Sequence, residues 1–176
     1  MPAGYNFLYS QAGRFYSSGN ELSNSLINQV FQDHTGFVWV ATENGLNRLD
    51  GHNLKKYHAV PGDSSSLKNN YVHSLHQDSR GIMWVGCLNG LQRYLPETDN
   101  FEEIPLYNGT SRAYPHIMKI LETRNGDLWI ATSGQGCFVL PASNRERNVF
   151  HKRLTDSLDS DFLTTLYEDP KGNLWL

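Results

Sequence analysis

Apolar and polar positions along the chain fall into short runs. Ile27–Gln32, Phe37–Thr42, Leu46–Leu49 and Leu54–His58 are four to six residues long and rich in β-prone side chains. Between them lie Asp33–Gly36, Glu43–Gly45 and Asp50–Asn53. In such clusters Asp bonds the backbone ahead of it and Gly accepts positive φ, so each cluster predicts a tight turn. Four short strands joined by three such turns make one antiparallel meander. The polar stretch Ala59–Asn70 then carries the chain to Tyr71, where the pattern restarts. The second unit places Leu91–Leu95 as its third strand and Phe101–Leu106 as its fourth. The third inserts one residue in its second turn, Ser133–Gly136, and continues with Cys137–Leu140 and Val149–Leu154.

The first strand of each unit does not alternate cleanly. Ile27, Val30 and Phe31 fall on both faces, as do Ile117, Ile120 and Leu121, which predicts burial on both faces. A blade sandwiched between two others meets that demand, whereas a sheet with one wet face does not. The period of the units is set by tryptophan. Trp39, Trp84, Trp129 and Trp175 are spaced by 45, 45 and 46 residues, and each closes a similar phrase: Asp33–Trp39, Asp78–Trp84, Thr123–Trp129 and Asp169–Trp175. Gly36, Gly81, Gly126 and Gly172 stand at the same place in these phrases. Four strands per repeat of about 45 residues is the β-propeller pattern. The indole is expected to fill the wedge between blades, with its N–H bonding a neighbouring carbonyl. The fold class is therefore all-β, about three and a half blades of an incomplete propeller. Residues 1–24 form a lead-in with an orphan outer strand, 25–65 the first blade, 66–111 the second, 112–158 the third and 159–176 the start of a fourth.

Both ends add expectations. Arg14–Ser17 sits where a fourth strand would, with no blade before it, and Leu176 falls inside a second strand. This predicts a piece of a longer reading frame, whose bared apolar blade face favours self-association. In isolation Asp156–Asp161 leading into Phe162–Glu168 reads as a helix start, but the repeat register aligns Leu166 with Val30, Leu75 and Ile120 and overrules it.

Composition narrows the function classes. Nine Tyr and 15 Gly suit many strands and tight turns. The net charge is −3 and no Lys/Arg stripe forms, which excludes nucleic acid on electrostatic grounds. No apolar run approaches the roughly 18 residues of a membrane span. Met1–Tyr5 lacks the basic and apolar regions of a signal peptide, so the chain is either cytoplasmic or had its signal removed. Cys87 ends one strand and Cys137 begins another in a different repeat, so the pair is expected as two free, partly buried thiols.

The segment Asn28–Asp33, continuing through Gly36–Gly51, closely resembles the two-component regulator propeller repeat. The lead-in Asn20–Ser25 is similar to the approach to a first repeat in that family. Thr123 departs from the usual Asp, and Leu95-Pro96 and Leu140-Pro141 lack the Asp-Gly close of Asp50-Gly51. These changes touch turns only. The resemblance implies the N-terminal blades of a seven-bladed ring in the periplasmic sensor region of a Bacteroidetes hybrid two-component histidine kinase. Such sensors respond to glycan fragments and switch on polysaccharide-utilisation genes. Similar propellers also precede other output domains, such as diguanylate cyclases.

Candidate chemistry is sparse. No nucleophile elbow, phosphate loop with Lys, or Cys-x-x-Cys is present, so no catalytic residue, metal ligand or cofactor is assigned. Gly134-Gln135-Gly136 is a strand–strand turn. His73 and His76 point to opposite faces of a strand and cannot share a metal, and His76 aligns with apolar Phe31 and Leu121. Glu102-Glu103 reads as a solvated outer edge. Propellers bind ligands at the end of the channel where fourth-to-first and second-to-third loops gather. Those loops carry Asn44, Asn69, Tyr71, Asn89, Arg112, Tyr114, His116 and Gln135. Amide, guanidinium and aromatic groups suit an oligosaccharide, which needs hydrogen bonds and a stacking face. The competing reading is that these are ordinary polar loop residues. Three functions remain: a sensor-domain piece, a stand-alone interaction scaffold, and, far behind, a propeller enzyme such as a polysaccharide lyase.

Overall fold

The computed structural model describes residues 8–9, 15–16, 21–147, 150–153 and 160–176. Strands β1 (Leu8–Tyr9) and β2 (Phe15–Tyr16) pair antiparallel, so the expected orphan strand has a partner upstream of it. The first blade is β3 (Ile27–Gln32), β4 (Val38–Thr42), β5 (Gly45–Leu49) and β6 (Leu54–Tyr57), paired in chain order. The second is β7 (Val72–Gln77), β8 (Met83–Cys87), β9 (Gly90–Leu95) and β10 (Asn100–Ile104). Pro105 then stops the predicted fourth strand short of Leu106, because proline has no N–H for the ladder.

Leu106 instead begins a hairpin, β11 (Leu106–Asn108) and β12 (Ser111–Ala113), that the sequence pattern does not announce. This hairpin extends the third blade. Its four expected strands are β13 (His116–Glu122), β14 (Leu128–Ser133), β15 (Cys137–Leu140) and β16 (Phe150–Arg153), and β11 pairs in parallel with β16. A 3-10 turn, Ala142–Arg147, bridges β15 and β16. Past the third blade, β17 (Tyr167–Glu168) and β18 (Leu174–Trp175) pair antiparallel. Residues 160–168 contain no helix, and the start of the competing helix reading, residues 156–159, lies outside the described residues.

The core lies between blades, as strands apolar on both faces require. Trp39, Leu75, Met83, Val85 and Tyr94 fill the wedge between the first two blades. Trp84, Ile117, Ile120, Ile130 and Phe138 fill the next. Trp39 and Trp84 are buried by the blade that follows each, and Trp129 is half-buried. Trp39 and Trp84 are 1% and 0% exposed, while Trp175 is 61% exposed. On the opposite side, Val30 is 47% exposed, whereas Leu75, Ile120 and Leu166 at the same repeat position are buried. Gly86 marks the closest approach: a Cβ there would lie 2.5 Å from Ile117 Cγ2. Cys87 and Cys137 are free and fully buried rather than partly so.

The repeated phrase is a turn locked to its own tryptophan. Asp33 Oδ1 accepts from the Thr35 and Phe37 N–H groups at 3.0 Å, and Oδ2 accepts the Trp39 indole N–H at 2.7 Å. Asp78 does the same for Arg80, Ile82 and Trp84, and Asp169 for Lys171, Asn173 and Trp175. The indole partner is thus this carboxylate and not the expected carbonyl, because only the Asp at the start of the turn reaches six residues ahead. In the third blade Thr123 cannot accept in this way. Its hydroxyl donates to Asn125 Oδ1 and Asp127 O, and the turn still closes through Gly126 N to Thr123 O at 2.8 Å.

A second repeated device stitches blade to blade. The backbone N–H after the turn Asp or Thr donates to the residue that ends the inner strand of the next blade. His34 N reaches Gln77 Oε1 at 2.8 Å, Ser79 N reaches Glu122 Oε2 at 2.6 Å, and Arg124 N reaches Glu168 Oε2 at 2.9 Å. Outside the wedge between the first two blades, Asp99 gathers Arg48, Lys55, Tyr57 and Tyr94. Burial pushes its carboxyl up, but the hydrogen bonds from Lys55, Tyr57 and Tyr94 and the Arg48 charge hold it down at about 2. Glu102 and Glu103 are also paired, to Arg93 and to Lys68 and Arg112, rather than simply solvated.

Candidate functional site

The inner strands β3, β7 and β13 share one irregularity. Pairing with the second strand slips between Ile27 and Gln29, between Val72 and Ser74, and between Ile117 and Lys119. The extra residues are Asn28, His73 and Met118, at one repeat position. A bulge re-aims the side chain it carries. In the first blade it sends Asn28 Nδ2 to Val72 O at 2.8 Å, across to the second blade. In the second blade it sends the His73 ring toward the third.

The result is a ring cluster at one end of the channel. Tyr71 and His73 lie parallel with centroids 6.3 Å apart. His116, from the third blade, meets Tyr71 and His73 edge-on, each at 5.4 Å. Asn69 Oδ1 accepts the Tyr71 N–H at 2.8 Å and fixes the entry to the strand. The Tyr71 hydroxyl donates to Glu43 Oε1, on the second turn of the first blade, at 3.3 Å. Burial, then the Glu43 charge and this bond, raise the Tyr71 hydroxyl above its ordinary value. Burial pushes the His73 imidazole down, with Glu43 partly opposing it. His116 is lowered by burial and by His73 beside it. Both shifts favour the neutral imidazole. His73 Nδ1, His116 Nε2 and Asn89 Oδ1 are buried with no protein hydrogen-bond partner.

Arg112 and Tyr114 belong to a separate group. The Tyr114 ring, half-exposed, faces Lys68 Nζ at 4.7 Å and Arg112 Cζ at 5.8 Å. Glu103 accepts from both cations. The cations lie against this ring, and Arg112 is committed to an ion pair. Asn44 and Gln135 sit in the second turns of the first and third blades, and the described hydrogen bonds do not join their side chains to either group. Of the eight residues singled out from sequence, the structure thus brings together Tyr71 and His116, with Asn69 bonded to Tyr71.

The sequence reading omitted His73 and Glu43. Period 2 along an inner strand places His73 on the same side as Tyr71, and that was the available signal. Glu43 had none beyond its place in a loop facing the channel end.

A family model described as two component regulator propeller matches residues 21–44, 66–89 and 113–134, one segment per blade. A curated relative, histidine kinase P4 of Formosa agariphila, is 47% identical over 45 residues, which is 26% of this chain and 3% of that protein. Among solved structures, the extracellular domain of a protein described as a hybrid two component system from B. thetaiotaomicron superposes with a TM-score of 0.76 at 24% identity. The match covers 90% of this chain and 23% of that one. Virginiamycin B lyase from Staphylococcus aureus superposes with a TM-score of 0.67 at 12% identity, over 96% of this chain and 54% of the lyase. These structural likenesses carry the fold alone, since one fold hosts sensors and lyases alike.

Proposed function

The chain belongs to the two-component regulator propellers, and from that premise we propose that it forms part of the extracytoplasmic ligand-sensing propeller of a two-component sensor. Its class of ligand is an oligosaccharide, and its role is recognition without catalysis. A hybrid histidine kinase of the polysaccharide-responsive kind is the parent this reading assigns. One observation carries the choice of site: His73 Nδ1 and His116 Nε2 sit buried and unpaired within an aromatic cluster at one channel end. Buried polar atoms without partners are costly, and a ligand that brings hydroxyl groups removes that cost. Neutral imidazole both donates and accepts, which matches the two-way bonding of sugar hydroxyls. The aromatic edges beside them supply an apolar surface for a sugar ring.

Calorimetric titration of the complete ectodomain with an oligosaccharide panel tests this. His73→Ala and Tyr71→Ala are each expected to weaken the best binder about tenfold or more, the equivalent of one lost hydrogen bond or stacking contact. Full affinity in both variants, or no binding from any member of the panel, overturns the reading.

A further inference from the structure

A second concave feature lies at the other end of the blades, where the first turns gather. It is a cleft of about 670 Å3 between the first and second blades. Both walls belong to described residues of this chain, so the site is complete here, and its size is that of a small-molecule site. Half-buried Phe37 contributes aromatic surface, with Trp39 and Tyr94 packed behind the wall. Across it lies the Arg48 guanidinium, 4.7 Å from the Phe37 centroid and 5.5 Å from that of Trp39. Asp99 and the Tyr94 hydroxyl hold Arg48 in that place.

The charges around the cleft are unevenly committed. Arg48, Arg80 and Arg93 all line it. The carboxylates that pair with Arg48 and Arg93 are Asp99 and Glu102, which lie outside the lining. The Arg80 guanidinium has no partner among the described residues, and its backbone N–H is fixed by Asp78 Oδ1 at 3.0 Å. Of the lining carboxylates, Asp33 is turned inward onto Thr35, Phe37 and Trp39. Glu97, exposed on the third turn of the second blade, is the other. A free guanidinium binds a carboxylate through two parallel N–H bonds, and a half-buried aromatic ring on a cleft wall offers an apolar contact to a planar group.

We propose that this cleft is a separate ligand site for a small planar molecule carrying one carboxylate. Arg80 holds the carboxylate, the Phe37 ring beside Arg48 holds the planar body, and Glu97 disfavours a second negative charge. The site shares no residue with the Tyr71–His73–His116 cluster.

Nuclear magnetic resonance titration of the full chain provides the test, read at the Trp39 indole N–H. Benzoate is the probe, with benzyl alcohol and acetate as partners lacking the charge and the ring. Benzoate is expected to shift the Trp39 signal saturably in the millimolar range, with both partners at least tenfold weaker. Arg80→Gln, in an exposed turn, is expected to fold normally and to weaken benzoate about tenfold. No saturable shift, equal binding of benzyl alcohol or acetate, or unchanged affinity in Arg80→Gln overturns the proposal. Oligosaccharide affinity in Arg80→Gln stays at the wild-type value whichever way the benzoate result falls, so the two sites are judged separately.

Discussion

Replacing Asp78 by Ala isolates what the repeated turn contributes to the stacking of blades. The Asp78 carboxylate is 4% exposed and accepts three N–H groups: Arg80 at 3.0 Å, Ile82 at 2.9 Å and the Trp84 indole at 3.0 Å. Trp84 is fully buried, so after truncation its indole N–H has no route to water. An unsatisfied buried donor costs about 1–3 kcal/mol. The lost charge-assisted bonds to the two turn amides add to it, although water can reach the exposed Arg80. A total of about 3 kcal/mol follows, the upper end of ordinary single-residue effects. Asp169→Ala is the matched control. Asp169 makes the same three bonds, but the Trp175 it serves is largely exposed. Water replaces the carboxylate there, and the loss should not stand out from ordinary surface substitutions. Urea unfolding followed by tryptophan fluorescence measures both. Equal losses in the two variants, or a loss under about 1 kcal/mol for Asp78→Ala, would refute the claim that burial gives the turn carboxylate its value.

Two further outcomes follow from the same packing. Gly86→Ala places a methyl group against Ile117 and should cost about 1–3 kcal/mol despite the better strand propensity of Ala, measured as a lowered urea midpoint. Below pH 4 the chain should lose stability in a way that Asp99→Asn does not share. The Asp99 carboxyl is held at about 2 when folded, against roughly 3.9 unfolded, so its contribution is complete above about pH 4 and disappears as pH falls toward 2. Circular dichroism across that range decides it, and parallel acid profiles for the two proteins would count against the Asp99 clasp.

The architecture was legible because its cause recurs. A turn Asp, a Gly and a Trp every 45 or 46 residues describe one wedge built over and over, and the structure repeats the wedge with the same hydrogen bonds. The hairpin at Leu106–Ala113 was not legible, since it occurs once and its start depends on Pro105 breaking a ladder that the flanking residues favour. The site was half legible. Tyr71 and His116 announce themselves by falling in loops that face the channel end. Period 2 puts His73 on the side of Tyr71, but the bulge that turns its ring toward the third blade is invisible to spacing. A loop position also leaves out near neighbours: Lys68 and Arg112 lie against the Tyr114 ring.

Repetition within one chain also separates the positions that stack blades from those free to do something else. The inner-strand ends Gln32, Gln77, Glu122 and Glu168 stay amide or carboxylate, since the last three each receive the backbone N–H of the blade before. The start of the same strands reads Leu26, Tyr71, His116 and Phe162, four unlike side chains at one geometric place. The third residue of the first turn reads Thr35, Arg80, Asn125 and Lys171. Wedge packing constrains neither place, because the side chains there project from blade ends rather than into the wedge. A propeller can therefore change what it recognises at either end without altering the bonds that hold it together. On that logic the His73–His116 cluster and Arg80 are expected to tolerate substitution with little loss of stability, while Asp78, Trp84 and Gly86 are not. Any variant that lost ligand and fold together at Arg80 would place that residue among the stacking positions instead.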